Sequence, residues 1–195
     1  MKAKINAFVT VKLTSDLAKL SDKEKKMIPL LIDAAKIMDD LYWEQVIGEK
    51  QRFLDSIPDS LVRVFTAINY GPWERLNGNK SFVKGFAEKP AGANFYPEDM
   101  TKEEFDKWQN KDKTSQYSII RRNDDHSLKN IWYHDAYKEK LGKAAELLNQ
   151  AVTLADDPGL KKYLELRAKA LVTDDYFASD MAWMEMKNNT IDFVV

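Results

Sequence analysis

The 195-residue sequence contains no cysteine. Disulfides, thiolate zinc sites and a cysteine nucleophile are therefore excluded. The compartment is not fixed by this, because cytosolic and periplasmic proteins can both lack cysteine. Histidine is nearly as scarce, with two residues in all, so any imidazole chemistry has to use His126 or His134. Neither stands in an HExxH pattern, which would set two zinc-binding imidazoles on one helix face with a base between them. The phosphate-cradling GxGxxG and Walker loops and the GxSxG nucleophile turn are also missing. No segment approaches the roughly 20 apolar residues of a membrane-spanning helix. The opening MKAKINAFVTVKL is basic but lacks the apolar run of a signal peptide. Charge of one sign is absent as well: 30 Lys and Arg against 31 Asp and Glu leave a net charge of −1. With no basic stripe to neutralise phosphates, a nucleic-acid partner is disfavoured. The expectation is a soluble chain with no membrane partner, cytoplasmic, or periplasmic if a leader was removed before this numbering begins.

What is present is a well-solvated chain, 44% hydrophobic and 31% charged, with no internal repeat, linker or low-complexity stretch. That is enough apolar material for a sizeable core in one unit spanning 1–195. The organising stretch is Ser21 to Ile47. Ser21 with Glu24 forms a capping box, in which hydroxyl and carboxylate each satisfy a backbone N–H of the first turn. Met27, Leu31, Ala34 with Ala35, Met38 and Leu41 with Tyr42 then recur on one helix face. Pro29 predicts a kink or a late start, and Gly48 marks the end.

Before this helix, Asn6 to Leu13 alternates well enough for a short strand or an extended lead-in. After it, Gln51 to Ile57 and a stretch capped by Asp59 or Ser60 read as helices, the second carrying Leu61, Val64, Phe65 and Ile68. Asn69 to Gly92 is rich in turn residues and reads as an ordered loop or hairpin anchored by Trp73, Phe82 and Phe86. Thr101 with Glu104 repeats the capping box ahead of a short helix bearing Phe105 and Trp108. Ser115 to Ile120 and Leu128 to Tyr133 form the best strand pair, separated by RRNDDHS. A long helix from Asp135 to Asp157, stopping near Pro158 and Gly159, precedes a second helix to about Thr173. Ser179 to Lys187 is a one-sided helix, and Ile191 to Val195 reads as a strand that needs a partner beyond Val195. The fold class is α+β and helix-rich: long amphipathic helices, a β-hairpin and a few short strands.

Candidate chemistry is sparse. His126 with Asp124 and Asp125, and His134 with Asp135, could be drawn together by a hairpin as metal ligands. A polar turn and a strand end are also ordinary surroundings for surface histidines. The acid pairs Asp39–Asp40, Asp124–Asp125, Asp156–Asp157 and Asp174–Asp175 lack calcium-loop spacing and suit helix ends and solvated turns. Met181, Trp183, Met184 and Met186 could line a ligand groove, although core packing is the favoured reading.

Several stretches resemble the N-terminal part of the dipeptidyl peptidase III family of zinc metallopeptidases, especially its shorter bacterial members. These are LSDKEKKMIPLLIDAAKIMDDLYWEQ, NYGPWERLNGNKSFV, GANFYPEDMTKEEFDKW and TDDYFASDMAWMEMKNNTIDFVV. The resemblance implies a fold of two lobes around a wide cleft, with this chain as the front of the lobe that does not hold zinc, an incomplete N-terminal lobe. It implies zinc as the cofactor of the full-length family and no metal ligand here, since the HExx(x)GH signature is absent. Peptide substrate and the remainder of the same polypeptide beyond Val195 are the implied partners. One site residue carries over: Asp192 in TIDFVV falls where the family places an acidic residue that holds the peptide's free amino terminus. The larger members have a tyrosine two residues later, where this sequence has Val194. The alternative is a free-standing, non-catalytic helical binding module derived from that fold.

Overall fold

The computed structural model describes residues 1–195. In chain order its elements are α1 (Lys2–Asn6), a 3-10 turn (Leu17–Lys19), α2 (Asp22–Val46), α3 (Lys50–Asp55), α4 (Ser60–Asn69), β1 (Trp73–Glu74), β2 (Lys80–Ser81), α5 (Lys102–Lys107), β3 (Ser118–Arg122), β4 (Leu128–Trp132), α6 (Tyr133–Ala136), α7 (Lys138–Val152), α8 (Pro158–Leu171) and α9 (Phe177–Glu185). The strands make two separate two-stranded sheets, β1 with β2 and β3 with β4. The chain divides into two compact units. The first comprises Met1–Thr14, Tyr42–Lys111 and Ile120–Lys129, and the second Ser15–Leu41, Asp112–Ile119 and Asn130–Val195.

The second unit holds the larger core. Ser21 and Glu24 form the complete capping box: the Glu24 N–H donates to the Ser21 hydroxyl at 3.1 Å and the Ser21 N–H to the Glu24 carboxylate at 2.7 Å. The helix therefore starts at Asp22 with no delay and runs through Pro29, whose missing N–H removes one rung of the ladder. Met27, Leu31, Ala34 and Leu41 are buried with Leu141, Ala144, Leu148 and Ala151 of α7 and Leu160, Tyr163, Leu164, Ala168 and Leu171 of α8. The alanines of α7 and α8 let the two helices approach closely over a short connection. That connection differs from the expected stop. Pro158 and Gly159 open α8, because Asp157 accepts from the Leu160 N–H at 2.7 Å and proline suits a first-turn position that needs no N–H. The helix expected from Asp135 is also broken at Tyr137, which leaves helical geometry between α6 and α7.

The first unit packs short elements around aromatic rings. Asp59 caps α4 through the Leu61 and Val62 N–H groups at 2.8 and 3.1 Å. In the turn-rich segment Trp73 pairs with Ser81 and Glu74 with Lys80 in an antiparallel register. The Trp73 indole donates to the Ala87 carbonyl at 2.9 Å, Phe86 meets Trp73 edge-on at 6.2 Å, and Phe82 meets Phe65 at 4.7 Å. Arg122 ties three segments together. Its Nε donates to both Asp99 oxygens at 3.0 and 2.9 Å, its terminal nitrogens to Glu104 at 2.8 and 2.9 Å, and Nη1 also to the His126 carbonyl at 2.7 Å. Only half of the second capping box forms as a result. The Thr101 hydroxyl accepts from the Glu104 N–H at 3.1 Å, while the Glu104 carboxylate is taken by Arg122.

Of the two readings of 6–13 the extended lead-in holds beyond Asn6, which ends α1, and the strand expected at 191–195 is missing. Residues 8–16 have no regular structure, and Val9, Val11 and Leu13 are 82%, 69% and 91% exposed, with no neighbouring strand to pair their backbone. Residues 191–195 likewise form no ladder. Their period-two alternation is nevertheless realised: Ile191, Phe193 and Val195 pack against the core, and Asp192 and Val194 point outward as exposed residues.

Arg122 holds Asp99 and Glu104 below the ordinary carboxylate range, chiefly through its hydrogen bonds to them. Depressed carboxylates contribute stability that is complete above their unfolded pKa values, about 4, and is lost as pH falls through the folded values. Arg122→Gln is therefore expected to destabilise the chain at pH 7 and to lose most of that difference near pH 2, measured by urea unfolding at each pH.

Candidate functional site

Helix α9 has two unlike faces. Ser179 and Ala182 are buried, and Met186, one turn further on, packs partly against the core. Met181, Trp183 and Met184 are exposed. The favoured expectation that the Met and Trp cluster is core holds in part for Met186 and is overturned for Met181, Trp183 and Met184, because the small residues at 179 and 182 are the buried ones. Trp183, Met184, Met186, Asn189 and Asp192 line a surface cavity of about 450 Å³.

The segment after α9 is shaped by its own polar groups. The Asn189 side chain donates to the Ile191 carbonyl at 2.7 Å, and the Val195 N–H donates to the Tyr163 hydroxyl at 3.4 Å. With the odd-numbered residues turned inward, Asp192 faces the cavity, and the Trp183 indole donates to its Oδ1 at 3.0 Å. One carboxylate oxygen is thus oriented by a neutral donor, while Oδ2 is left to an incoming donor. An anion at the N–H edge of an indole, in a cavity also lined by thioethers, suits a primary ammonium on a partly apolar body.

A buried polar layer joins α8 to α9. Arg167 is 7% exposed and ion-pairs with Asp180 of α9. Its guanidinium carbon lies 5.4 Å from the Tyr163 ring centroid and 5.1 Å from that of Tyr176. Lys162 adds a surface bond to Glu185 at 2.9 Å. Burial, with the Asp174 charge behind it, pushes the Tyr176 phenol up to about 12, so Tyr176 is a neutral packing group at physiological pH. Tyr117 stacks on it at 4.7 Å.

Asp174 is the least ordinary of the paired acids. Held in left-handed backbone geometry at φ 57° and buried, it accepts at Oδ2 from the His134 N–H at 3.2 Å and meets His134 Nδ1 at 2.6 Å, while its Oδ1 has no partner. A carboxylate acceptor requires the proton on Nδ1, which leaves Nε2 open, 3.6 Å from Asp135. His126 lies in the β3–β4 loop at φ 65°, its N–H donating to the Asn123 carbonyl. No group of three or more His, Cys, Asp and Glu residues is placed to hold a metal ion. Asp125 instead accepts from the Ser127 N–H and hydroxyl, Asp156 accepts from Ser21 and Lys23, and Asp157 caps α8.

The indole as a partner for Asp192, and the Asp174–His134 pair, were not found from sequence. A tryptophan on a short helix gives a local signal of one-sidedness only, and the two pairs are separated by 9 and 40 positions.

The comparisons with known proteins follow the same outline. No family model matches the chain. The structure of DPP III from Caldithrix abyssi superposes with a TM-score of 0.92 at 39% identity, covering 98% of this chain and 38% of that one. The structure of dipeptidyl-peptidase III from Corallococcus sp. strain EGB superposes with a TM-score of 0.86 at 33% identity, covering 95% and 37%. Nudix hydrolase 3 from Arabidopsis thaliana is 30% identical over an alignment covering 95% of this chain and 32% of that protein. The chain therefore has the fold of part of dipeptidyl peptidase III, helix-rich with two small hairpins, and spans well under half the length of each of these relatives. No helix is long and apolar enough to cross a membrane.

Asp174→Ala removes a buried acceptor from His134 and is expected to cost about 1–3 kcal/mol in urea unfolding. Trp183→Phe, at an exposed position, is expected to stay within about 0.5 kcal/mol of the unaltered chain.

Proposed function

We propose that this chain is the N-terminal, non-zinc part of a dipeptidyl peptidase III-like metallopeptidase, an incomplete lobe that forms one wall of a peptide-binding cleft. The observation that carries the reading is the likeness to the Caldithrix abyssi protein across 98% of the chain. The likeness to a plant Nudix hydrolase covers 32% of that protein, too little to transfer the activity in its name. The residues of this chain do not fit a zinc centre, since no three ligand-type side chains converge. In this reading the zinc ligands and the general base belong to the rest of the same polypeptide.

Asp192 is the substrate-binding residue. Its carboxylate pairs with the free ammonium of the peptide, and the Trp183 indole keeps it aimed into the cavity. A charge-assisted contact at the amino terminus fixes the register from which two residues are counted, turning binding energy into position. None of the groups around Asp192 is a nucleophile or a positioned base, so the wall orients substrate and the chemistry is supplied from elsewhere.

Titration calorimetry of the purified chain with a free-amine tetrapeptide and its N-acetyl form tests this. Acetylation and Asp192→Asn are each expected to weaken binding at least about tenfold, the scale of one charge-assisted hydrogen bond. Equal binding of both peptides, or stoichiometric zinc uptake with unaided release of dipeptides, would contradict it.

A further inference from the structure

The first unit contains a cavity of about 630 Å³, within the usual range for small-molecule sites, roughly 300–1,000 Å³. Its walls are mostly apolar, from Val46, Ile47, Trp73, Phe86, Tyr96 and Pro97, and the adjacent arginines Arg121 and Arg122 also line it. The two arginines are in opposite states. Arg122 is saturated by Asp99, Glu104 and the His126 carbonyl. Arg121 meets no carboxylate at all. Its Nη1 donates to the Phe95 and Ile120 carbonyls at 3.3 and 2.8 Å, and its Nη2 to the Asn94 carbonyl at 2.9 Å.

Those three bonds occupy three of the five guanidinium N–H groups. Nε makes no bond, and Nε–H with the Nη2 hydrogen beside it is the side-on edge of the fork, the edge that takes both oxygens of a carboxylate in parallel. The three carbonyls fix the guanidinium plane in advance, so little side-chain freedom is left to lose on binding. A half-buried cation with no carboxylate in direct contact, held by three carbonyls beside aromatic walls, keeps its remaining N–H groups available to an anion.

We propose that this cavity binds a monocarboxylate with an apolar or aromatic body, anchored side-on by Arg121. The body lies against Trp73, Phe86 and Tyr96. Glu88, Glu98 and Asp99, the last paired with Arg122, also line the cavity and penalise a second negative charge, so dianions are disfavoured. Small aromatic acids and the C-terminal carboxylate of a peptide share this chemistry. The site lies in the first unit and does not depend on the reading of Asp192.

Calorimetry with 3-phenylpropionate, 3-phenylpropionamide, phenylsuccinate, Gly-Gly-Phe and Gly-Gly-Phe amide tests the proposal on the full chain. At least one of the two monocarboxylates is expected to bind at least about tenfold more tightly than its amide, with phenylsuccinate weaker than 3-phenylpropionate. The tighter of the two monocarboxylates identifies the source of the carboxylate. Arg121→Lys keeps the charge but loses the fork, and is expected to abolish the preference for acid over amide. Arg121 also tethers the backbone at Asn94 and Phe95, so the Nε–H resonance of Arg121 in the unaltered chain provides the second readout. It is expected to shift on adding the preferred acid and not on adding its amide. Equal affinity for acid and amide, no binding of either acid, or an unmoved Nε–H signal at saturation would overturn the proposal.

Discussion

Arg167 is a charged side chain enclosed among aromatic rings, and the elements that carry the Asp192 cavity are attached through its neighbours. Its ion pair with Asp180 fixes α9 against α8. Tyr163, one of the rings flanking it, also receives the Val195 N–H, and Tyr176, the other, stands at the start of α9. A buried guanidinium without its partner costs several kcal/mol, so the arrangement is tolerated only with Asp180 in place. That ion pair and the buried Ser179 and Ala182 agree on one rotation of α9, which leaves Trp183 and Met184 facing outward.

From there the cavity follows from short-range geometry. Alternation after Asn189 turns Ile191, Phe193 and Val195 inward and Asp192 outward. The indole then meets the carboxylate at 3.0 Å. Each link is local, yet the result joins a helix face to a segment without regular structure. Rigidity behind and exposure in front are what a side chain needs to hold a bound group in one position.

How far the fold was legible depended on where each side chain's competing partners lay. The Ser21–Glu24 capping box was readable because both members act within one turn, and the one distant group on it, Asp156, takes the Ser21 hydroxyl as a donor and leaves its oxygen free to accept from the Glu24 N–H. The same pattern at Thr101 and Glu104 formed only half, because Arg122, 18 residues away, takes the carboxylate. Pro158 and Gly159 read as a stop, but a proline preceded by an acidic cap is equally a start, and Asp157 decides between the two. The terminal alternation was legible, whereas the ladder was not, since a strand needs a neighbour that one segment cannot reveal. Asp192 was reached through family resemblance and placed in a cavity by the structure. Trp183 as its partner was hidden, because the burial of α9 is set by Ser179 and Ala182, the small residues that a hydrophobicity pattern overlooks.

The most direct measurement is a graft. This chain would replace the matched 38% of the Caldithrix abyssi protein, and the release of dipeptides by the chimera would be followed with and without Asp192→Asn. The account predicts a chimera that releases dipeptides, with kcat/KM lowered at least about tenfold by the substitution and zinc content unchanged. A folded, zinc-loaded chimera with no activity, or one indifferent to Asp192→Asn, would contradict it.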